Sequence, residues 1–489
     1  MLLGLDLGTT NVKALVTDPA GKPLARGSSP VQLYRLAGGG VEQDIEEIWQ
    51  ATLAALREAT GSVDAAQIRA VGVSSQAGAM QVLDRKGCPL GRVISWLDQR
   101  GRSFDEQLTG ELGKPWFLER ILHGGSWLSI GQVLRLRHEQ PGLLDPPNRI
   151  GWVGDIILSR LCGAPAHDGT SAGLTLLYNP LKRAYDPDLL ARIGLEARQL
   201  PPLLAPRQAA GGLRPEIARQ TGLRPETPLS PAIHDQYASA LGTGATQAGT
   251  VMLGTGTAWV LLYITGQAPT PVTDEAFVCH HVIDGLWGQI LSMVNGGSTL
   301  GWALELTGQS GEEDGAIDKL LVSAPPGSEG LLFWPFLTSF GASGVRPGTR
   351  GRLHGLQLHH TASHVVRAVV EGLGYELNRY LELLRAGGQQ SATLVMGGGA
   401  ASSSITPQML ADISGLPLRC FAERDATLTG AAILARALVE PGIPLSALAR
   451  EMSPPSREVS PGPTHAFYRK QYERYLESLP LTSIPSASP

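Results

Sequence analysis

The start of the chain alternates leucine with glycine or aspartate in a pattern that predicts a β-hairpin. Residues 2–7 (LLGLDL) show the period of two that is expected of a strand. The turn Gly8-Thr9-Thr10 follows, and residues 12–16 (VKALV) supply a second strand. The pattern therefore predicts a strand, a tight turn and a second strand.

The same pattern returns near the middle of the chain. Residues 250–262 predict a strand, a Gly-Thr turn and another strand. Two such hairpins, separated by nearly half the chain, indicate two related domains with a boundary in the Gly-, Thr- and Ala-rich run 241–249. We therefore predict an N-terminal domain over residues 1–245, a C-terminal domain over 246–440, and a closing helix and tail over 441–489.

Helices are predicted between the strands, which indicates an α/β fold. An apolar stripe at helical spacing marks a helix over 44–59, opened by a capping box of Asp44 and Glu47. Later in the chain, residues 393–396 form a buried strand that ends in three glycines, and a helix is expected over 402–414.

The composition excludes several classes of protein. Hydrophobic side chains make up 43% of the 489 residues, so collagen-like and disordered chains are excluded despite 60 glycines and 35 prolines. A net charge of −4 provides no basic stripe for nucleic acid and no polybasic membrane anchor. Neither a signal peptide nor an apolar run of roughly 20 residues is found. With four scattered cysteines, we expect a soluble cytoplasmic protein with no nucleic-acid or membrane partner.

The two Gly-Thr turns are candidate phosphate-binding loops. Glycine lets a ligand approach the backbone N–H groups, and threonine adds a short hydroxyl donor. Asp6, on the strand before the first turn, is placed to hold Mg²⁺ through one carboxylate. A plain hairpin with Asp6 as a turn acceptor is the alternative. The presence of two such turns favours phosphate binding.

His234-Asp235-Gln236 joins a strand over 229–233 to a helix rich in small residues. By position Asp235 is a helix N-cap, and that role alone explains an aspartate there. The functional alternative is a general base at the carboxyl end of a strand, where α/β sheets place their ligands. From the residues alone, the N-cap is the stronger interpretation.

A second polar group follows a strand predicted over 92–95. Trp96, Asp98 and Arg100 combine an aromatic face, an acceptor and a forked donor, which suits a polyhydroxylated ligand. The same residues suit a surface salt bridge beside a core tryptophan. From the residues alone, the salt bridge ranks first.

Taken together, these segments resemble the FGGY family of carbohydrate kinases, and within it the pattern of the xylulokinases. The resemblance runs from Gly4 to about Ala437, with its elements in the family's order. They lie at residues 4–10, 96–100, 167–173, 234–236, 253–257, 295–302, 350–356, 367–372 and 397–400.

The resemblance implies two actin-like, ribonuclease-H-like domains that flank a catalytic cleft, with ATP and Mg²⁺ as cofactors. It assigns the catalytic base to Asp235, the residue near Mg²⁺ to Asp6, and the basic residue of the first loop to Lys13. It places the phosphates of ATP against Thr9, Thr10, Gly254, Thr255 and Gly297, and adenosine near Gly398, Gly399 and Ser402. Sugar and ATP are the expected ligands, and a homodimer is the assembly considered.

The expected sugar contacts are Gln76, Ala77, Gly78, Trp96, Asp98 and Asp235. Where xylulokinases show Gln-Met-His-Gly, this chain has Gln76-Ala77-Gly78-Ala79-Met80, and the Arg-Glu pair of glycerol kinases is also missing. The catalytic segment has His234 where the family pattern has glycine. Xylulose is therefore the first expectation, and ribulose, another ketose or a polyol stays open.

Two other classes compete with a sugar kinase. Gly397 to Ser402 after a strand, with Glu423 after the next strand, imitates the dinucleotide-binding βαβ unit of a dehydrogenase. An actin- or chaperone-like ATPase shares the expected fold but needs no sugar site. A P-loop kinase is excluded because no GxxxxGK[ST] motif occurs.

Overall fold

The structure is a computed structural model that describes residues 1–311, 315–338, 343–421 and 425–482. Its strands are β1 Leu2–Leu7, β2 Asn11–Thr17, β3 Pro23–Pro30, β4 Tyr34–Arg35, β5 Val41–Gln43, β6 Val71–Ser75, β7 Met80–Leu83, β8 Val93–Ile94, β9 Arg149–Trp152, β10 Tyr178–Asn179, β11 Ala184–Tyr185, β12 Gly211–Gly212, β13 Pro228–His234, β14 Thr250–Thr255, β15 Trp259–Thr265, β16 Phe277–His280, β17 Trp287–Ser292, β18 Leu332–Trp334, β19 Arg352–His354, β20 Thr393–Gly398, β21 Leu418–Cys420 and β22 Arg457–Val459.

The helices lie between these strands and on both faces of the sheets. They are α1 Ile45–Thr60, α2 Arg102–Leu112, α3 Lys114–Ile121, α4 Ser129–Glu139, α5 Val153–Cys162, α6 Gly169–Gly173, α7 Pro187–Ile193, α8 Pro215–Thr221, α9 Asp235–Gly242, α10 Gly297–Leu306, α11 Ala316–Ser323, α12 Ala362–Ala386, α13 Thr406–Ser414, α14 Ala426–Val439, α15 Leu445–Met452 and α16 His465–Ser478.

Two sheets of the same design organise the molecule. The first has the strand order β12-β13-β6-β1-β2-β3, and the second has the order β16-β17-β15-β14-β20-β21-β22. In each sheet an antiparallel hairpin, β1–β2 or β14–β15, is followed by two strands parallel to its first strand. The predicted α/β fold with two related halves, each opened by a hairpin, is confirmed.

A second sheet of the N-terminal half, with the order β4-β5-β8-β7-β9, extends beside the first. Helices α2, α3 and α4 contribute an apolar cluster with its strands, including buried Phe117 and Trp152. This added layer stands next to the carboxyl ends of β1 and β6, where the candidate site lies.

The two halves meet where α9 of the first half crosses α14 of the second. A Cβ on Gly242 would overlap the carbonyl oxygen of Ala426, and a Cβ on Gly430 would overlap that of Ala238. Helix α14 also lies on the first sheet, because β1 and β6 present glycines to its backbone. Glycine thus permits a contact between backbones that any side chain would prevent.

Two local predictions are wrong at helix starts. Asp44 caps α1 by accepting a hydrogen bond from the N–H of Glu46 (2.8 Å), but Glu47 accepts one from the hydroxyl of Tyr34 (2.5 Å) and forms no capping box. Helix α13 begins at Thr406 rather than at Ser402, because Ser402 ends a 3-10 turn over Gly399–Ser402.

The C-terminal region contains more structure than predicted. The closing helix is confirmed as α16, but α15 and β22 precede it. Helix α16 buries Tyr468, Tyr472 and Tyr475 in a cluster with β18 and α12. Glu423 and residues 483–489 of the predicted tail lie outside the described residues. Among the described helices, none has the length and apolar character needed to cross a membrane.

The α9–α14 crossing is tested by substituting its glycine. Gly430→Ala inserts a methyl group against the Ala238 carbonyl, so the helices must separate, and we expect a loss of about 1–3 kcal/mol in the free energy of unfolding. Gly301→Ala is the matched control, because Gly301 is also inside a helix but its added Cβ meets nothing within 4 Å. Urea unfolding of both variants checks the prediction, and equal midpoints for the two would contradict it.

Candidate active site

The candidate site lies at the carboxyl ends of β1, β6 and β13, which are neighbours in the first sheet. Asp6 on β1 is paired with Ser74 on β6, and the Ser74 hydroxyl donates a hydrogen bond to Asp6 Oδ1 (2.7 Å). Asp235 follows the end of β13 directly. The sheet topology therefore brings together two carboxylates that are more than two hundred residues apart in the chain.

These two carboxylates influence each other electrostatically. Burial, and secondly the charge of Asp235, raise the pKa of Asp6 to about 6 against an ordinary value of 3.8, although Ser74 and Lys13 act in the opposite direction. Among the described residues, no lysine or arginine forms an ion pair with either carboxylate. The site thus has excess negative charge, and its carboxylate oxygens are ligands of the type that Mg²⁺ takes.

The predicted N-cap role of Asp235 is wrong. Helix α9 begins at Asp235 itself, and its N-cap residue is His234, with no side-chain capping bond. The Asp235 carboxylate is about one-third exposed, at 32%, and its described partner is His234 Nε2 at 3.1 Å. The carboxylate is therefore not used to start the helix and stays partly open to solvent.

A short helix anchors the end of β13 behind Asp235. Asp168 caps α6 by accepting hydrogen bonds from the backbone N–H groups of Thr170 and Ser171. The Thr170 hydroxyl donates to Asp168 Oδ1 (2.8 Å) and accepts from the N–H of His234 (3.0 Å). All of these groups are buried, so the backbone that carries Asp235 is held by hydrogen bonds screened from water.

A hydrogen-bonded network connects the first turn to the predicted sugar residues. Trp96 Nε1 donates to the hydroxyl of Thr9 (3.1 Å), which donates to Gln76 Oε1 (3.1 Å). Gln76 Nε2 donates in turn to Gln43 Oε1 (3.0 Å), and Gln43 Nε2 returns to the carbonyl of Thr9 (2.9 Å). Gln43 was not predicted to belong to the site. The one sequence feature that marks it is its position directly before the N-cap residue Asp44.

Two adjacent hollows lie along this network. One is lined by Gln76, Ala77, Gly78, Trp152, His167 and Ser171. The other is lined by Trp96, Asp98, Trp127, Leu128 and Gln132. Gly78 joins them: its φ is +75°, and an added Cβ would lie 3.3 Å from Trp96. Five of the predicted sugar residues are therefore neighbours in space, whereas Asp235 lines neither hollow.

Asp98 has a structural role in this network. Its carboxylate is buried and accepts hydrogen bonds from the N–H of Val41 (2.8 Å), from Gln132, and from the guanidinium of Arg100. Burial tends to raise the pKa of Asp98, but these donors outweigh it and hold the pKa below its ordinary value. The salt bridge favoured by the residues alone is confirmed, although Trp96 beside it is exposed rather than in the core. A sugar contact by Asp98 stays a prediction.

The second Gly-Thr turn is tied to the glycine run after β20. The Thr255 hydroxyl donates to the carbonyl of Gly397 (2.7 Å) and accepts from the N–H of Ala400 (3.1 Å). Gly398 has φ +94°, and an added Cβ would lie 2.9 Å from Thr255 Oγ1. The absence of a side chain at Gly398 therefore lets the two loops approach closely, and the Thr255 hydroxyl links them.

The remaining predicted ligand residues divide between the two turns. Thr10 and Lys13 lie on the first hairpin, where Lys13 pairs with Asp6 across the strands. Gly297 opens α10 and donates its N–H to Gly256 of the second turn (3.0 Å), while Ser402 lies exposed at the end of its 3-10 turn. Contacts of all these residues with a ligand stay predictions.

Gln236 connects the start of α9 to the second turn. It is the second residue of α9, directly after Asp235, and its buried Oε1 has no hydrogen-bond partner among the described residues. A Cβ added to Gly254 would lie 3.0 Å from that oxygen. The start of α9 therefore adjoins the backbone of the second turn.

Comparison with known proteins identifies this arrangement. The N-terminal domain model of the FGGY family of carbohydrate kinases matches residues 1–242, and the family's C-terminal domain model matches residues 249–438. The chain belongs to the FGGY family of carbohydrate kinases, and it is a sugar kinase, as predicted. The family assignment decides against the dehydrogenase and the chaperone-like ATPase.

The named relatives include xylulose kinases. The chain is 28% identical to the xylulose kinase of Escherichia coli strain K12, over 98% of this chain and all of that protein. It is 30% identical to a probable L-xylulose kinase of Pasteurella multocida, over 97% of both chains. A crystal structure of ligand-bound xylulose kinase from Lactobacillus acidophilus has the same fold, with a TM-score of 0.87 at 23% identity over 97% of this chain and 96% of that one.

The hydrogen bonds that connect β14 to the glycine run after β20 are tested by substituting Thr255. Thr255→Val removes the donor to Gly397 and leaves the N–H of Ala400 without its acceptor, which costs about 1–3 kcal/mol when the groups are buried. We expect a lower urea midpoint for Thr255→Val, whereas Thr255→Ser, which keeps the hydroxyl, stays near the unchanged protein. Equal stability of the two variants would contradict the role of the hydroxyl.

Proposed function

We propose that this kinase transfers the γ-phosphate of ATP to a hydroxyl of a small sugar, a ketopentose such as D-xylulose in the first instance, with Asp235 as general base. The observation that carries the proposal is the position of Asp235. Its carboxylate makes no capping hydrogen bond, and its charge acts on the pKa of Asp6. The next residue, Gln236, lies against the backbone of the second Gly-Thr turn. A base, a candidate phosphate loop and a candidate metal ligand thus converge.

The reaction needs little from the protein beyond positioning and charge. Asp235 accepts the hydroxyl proton while the sugar oxygen attacks the γ-phosphorus in line. The new bond joins that oxygen to phosphorus, and the bond from phosphorus to the bridging oxygen of ADP breaks. Backbone N–H groups of the two Gly-Thr turns, with Lys13 on the first hairpin, are placed to hold the phosphates.

Asp6 is the residue that would hold Mg²⁺. Its Oδ1 accepts from Ser74, which leaves Oδ2 available. Lys13, its partner across the hairpin, acts to lower its pKa, but no ion pair between a described cationic side chain and Asp6 is found. The charge repulsion with Asp235 would be relieved by a cation, so the residues present fit the ion. When bound, Mg²⁺ supplies charge neutralisation at the phosphates of ATP.

The sugar itself is inferred from the pocket and the relatives. Gln76, Ala77 and Gly78 line the hollow that also includes Trp152 and His167, and Gly78 lies so close to Trp96 that an added Cβ would be 3.3 Å from it. Relatives named for xylulose and for L-xylulose have similar sequence identity to this chain. One screen of sugar-dependent ADP release should therefore compare D-xylulose, L-xylulose, ribulose, other ketoses and polyols. An ATP-dependent reaction and four free cysteines fit a cytoplasmic enzyme.

The role of Asp235 is tested by Asp235→Asn. The amide cannot accept the hydroxyl proton, so we expect sugar-dependent ADP release to fall at least ~100-fold, while calorimetry shows ATP binding nearly unchanged. Asp188→Asn, in the exposed first turn of α7, is the matched control and should keep full activity. Wild-type turnover by Asp235→Asn would exclude Asp235 as the base.

The role of Asp6 is tested by pH and Mg²⁺ together. Because the pKa of Asp6 is raised to about 6, the carboxyl is protonated below that pH and loses its affinity for a cation. We expect Mg²⁺ affinity, measured by calorimetry, to fall as the pH drops from 7.5 to 5, and rising Mg²⁺ to move the acid limb of the rate profile to lower pH. In Asp6→Asn both effects should vanish. If the pH of the acid limb does not change with Mg²⁺ concentration, Asp6 is not the residue that holds Mg²⁺.

A further inference from the structure

We propose that His234 is a positioning residue that orients the carboxylate of Asp235 for proton transfer. The inference rests on the proposed role of Asp235 as base. It concerns a side chain that the family pattern does not have, since that pattern places a glycine before the aspartate.

The contact is direct and partly shielded from water. His234 Nε2 lies 3.1 Å from Asp235 Oδ1, and only 9% of the histidine side chain is exposed. The ring packs beside Tyr237 of α9, with 6.0 Å between the ring centroids. Packing on the first turn of the helix therefore fixes the orientation of the imidazole toward the carboxylate.

The ring nitrogen nearest the carboxylate is Nε2, at 3.1 Å from Asp235 Oδ1. A carboxylate oxygen accepts hydrogen bonds, so an N–H at Nε2 is the donor that this ring can offer to Asp235. Nδ1 is buried and has no hydrogen-bond partner among the described residues. The polar contact that the described structure gives this ring is thus the one to Asp235.

One consequence is that the two carboxylate oxygens of Asp235 have different roles. Oδ1 is engaged by the histidine, which leaves Oδ2 to take the hydroxyl proton of the sugar. Asp235 makes no capping bond and is one-third exposed, so without His234 its carboxylate is free to rotate. Misplacing a catalytic group by about 1 Å can cost roughly 100-fold in rate.

The side chain of His234 can be changed without releasing its backbone. The N–H of His234 is held by the Thr170 hydroxyl, and Thr170 is held by Asp168, whichever side chain stands at position 234. A substitution there therefore removes the hydrogen bond to Asp235 while the end of β13 keeps its anchor.

The experiment compares His234→Leu with His234→Gln in the full-length enzyme, using the sugar that the screen identifies. Glutamine keeps an N–H donor at similar reach, and leucine removes it. We expect His234→Leu to lower kcat about 10- to 100-fold with the KM for ATP changed less than about twofold, and His234→Gln to stay within about threefold of the unchanged enzyme. Equal losses in both variants, or no loss in either, would overturn the proposal.

A double-variant cycle separates positioning from packing. If His234 acts through Asp235, adding His234→Leu to Asp235→Asn lowers the residual rate by less than about twofold. A further loss as large as that of His234→Leu alone would overturn the proposal. Wild-type turnover of Asp235→Asn would instead overturn the base assignment. If Asp235→Asn has no turnover while His234→Leu keeps wild-type turnover, only the inference about His234 is overturned.

Discussion

The close crossing of α9 and α14 is the contact on which the geometry of the site depends. Each half of the chain contributes one helix, and the two backbones touch because Gly242 and Gly430 carry no side chain. Helix α9 begins at Asp235, while α14 lies on the sheet whose strand ends carry Asp6 and Ser74. The distance between Asp235, Asp6 and the second turn is therefore set by backbone packing, which tolerates little variation.

Four aspartates at or near the candidate site fall into two groups. Asp98 and Asp168 are buried, and each accepts hydrogen bonds from several donors of its own domain, which is the usual requirement for burying a charge. Asp6 and Asp235 have one side-chain partner each, Ser74 and His234, and repel one another. The first group holds the fold together, and the second leaves negative charge unbalanced at the cleft, where a cation and a proton can be accepted.

Local patterns predicted much of the fold, because the period of a strand or helix depends only on nearby residues. Both hairpins, helix α1 and closing helix α16 were found in this way. The errors came from partners distant in the chain. Glu47 is engaged by Tyr34 on another element, and Gln43 joins Gln76 only once β5 and β6 are in place.

Asp235 is a second case in which local sequence could not reveal a contact with residues distant in the chain. Its local position suggests an N-cap, yet the helix begins one residue earlier than that role requires. The N–H of His234, the actual N-cap residue, is held by the Thr170 hydroxyl of a separate helix. No pattern near residue 235 encodes that contact. The resemblance to a family assigns the base to Asp235, and that role stays a prediction, whereas the contact with His234 emerged only from the three-dimensional arrangement.

The roles proposed for Asp235 and the two turns are tested most directly by a crystal structure of the enzyme with its sugar and a non-hydrolysable ATP analogue. If Asp235 is the base, one sugar hydroxyl lies within about 3 Å of it, in line with a γ-phosphate held between the Gly-Thr turns of β1–β2 and β14–β15. A γ-phosphate bound away from both turns, or a sugar with no hydroxyl in hydrogen-bonding reach of Asp235, would contradict these roles.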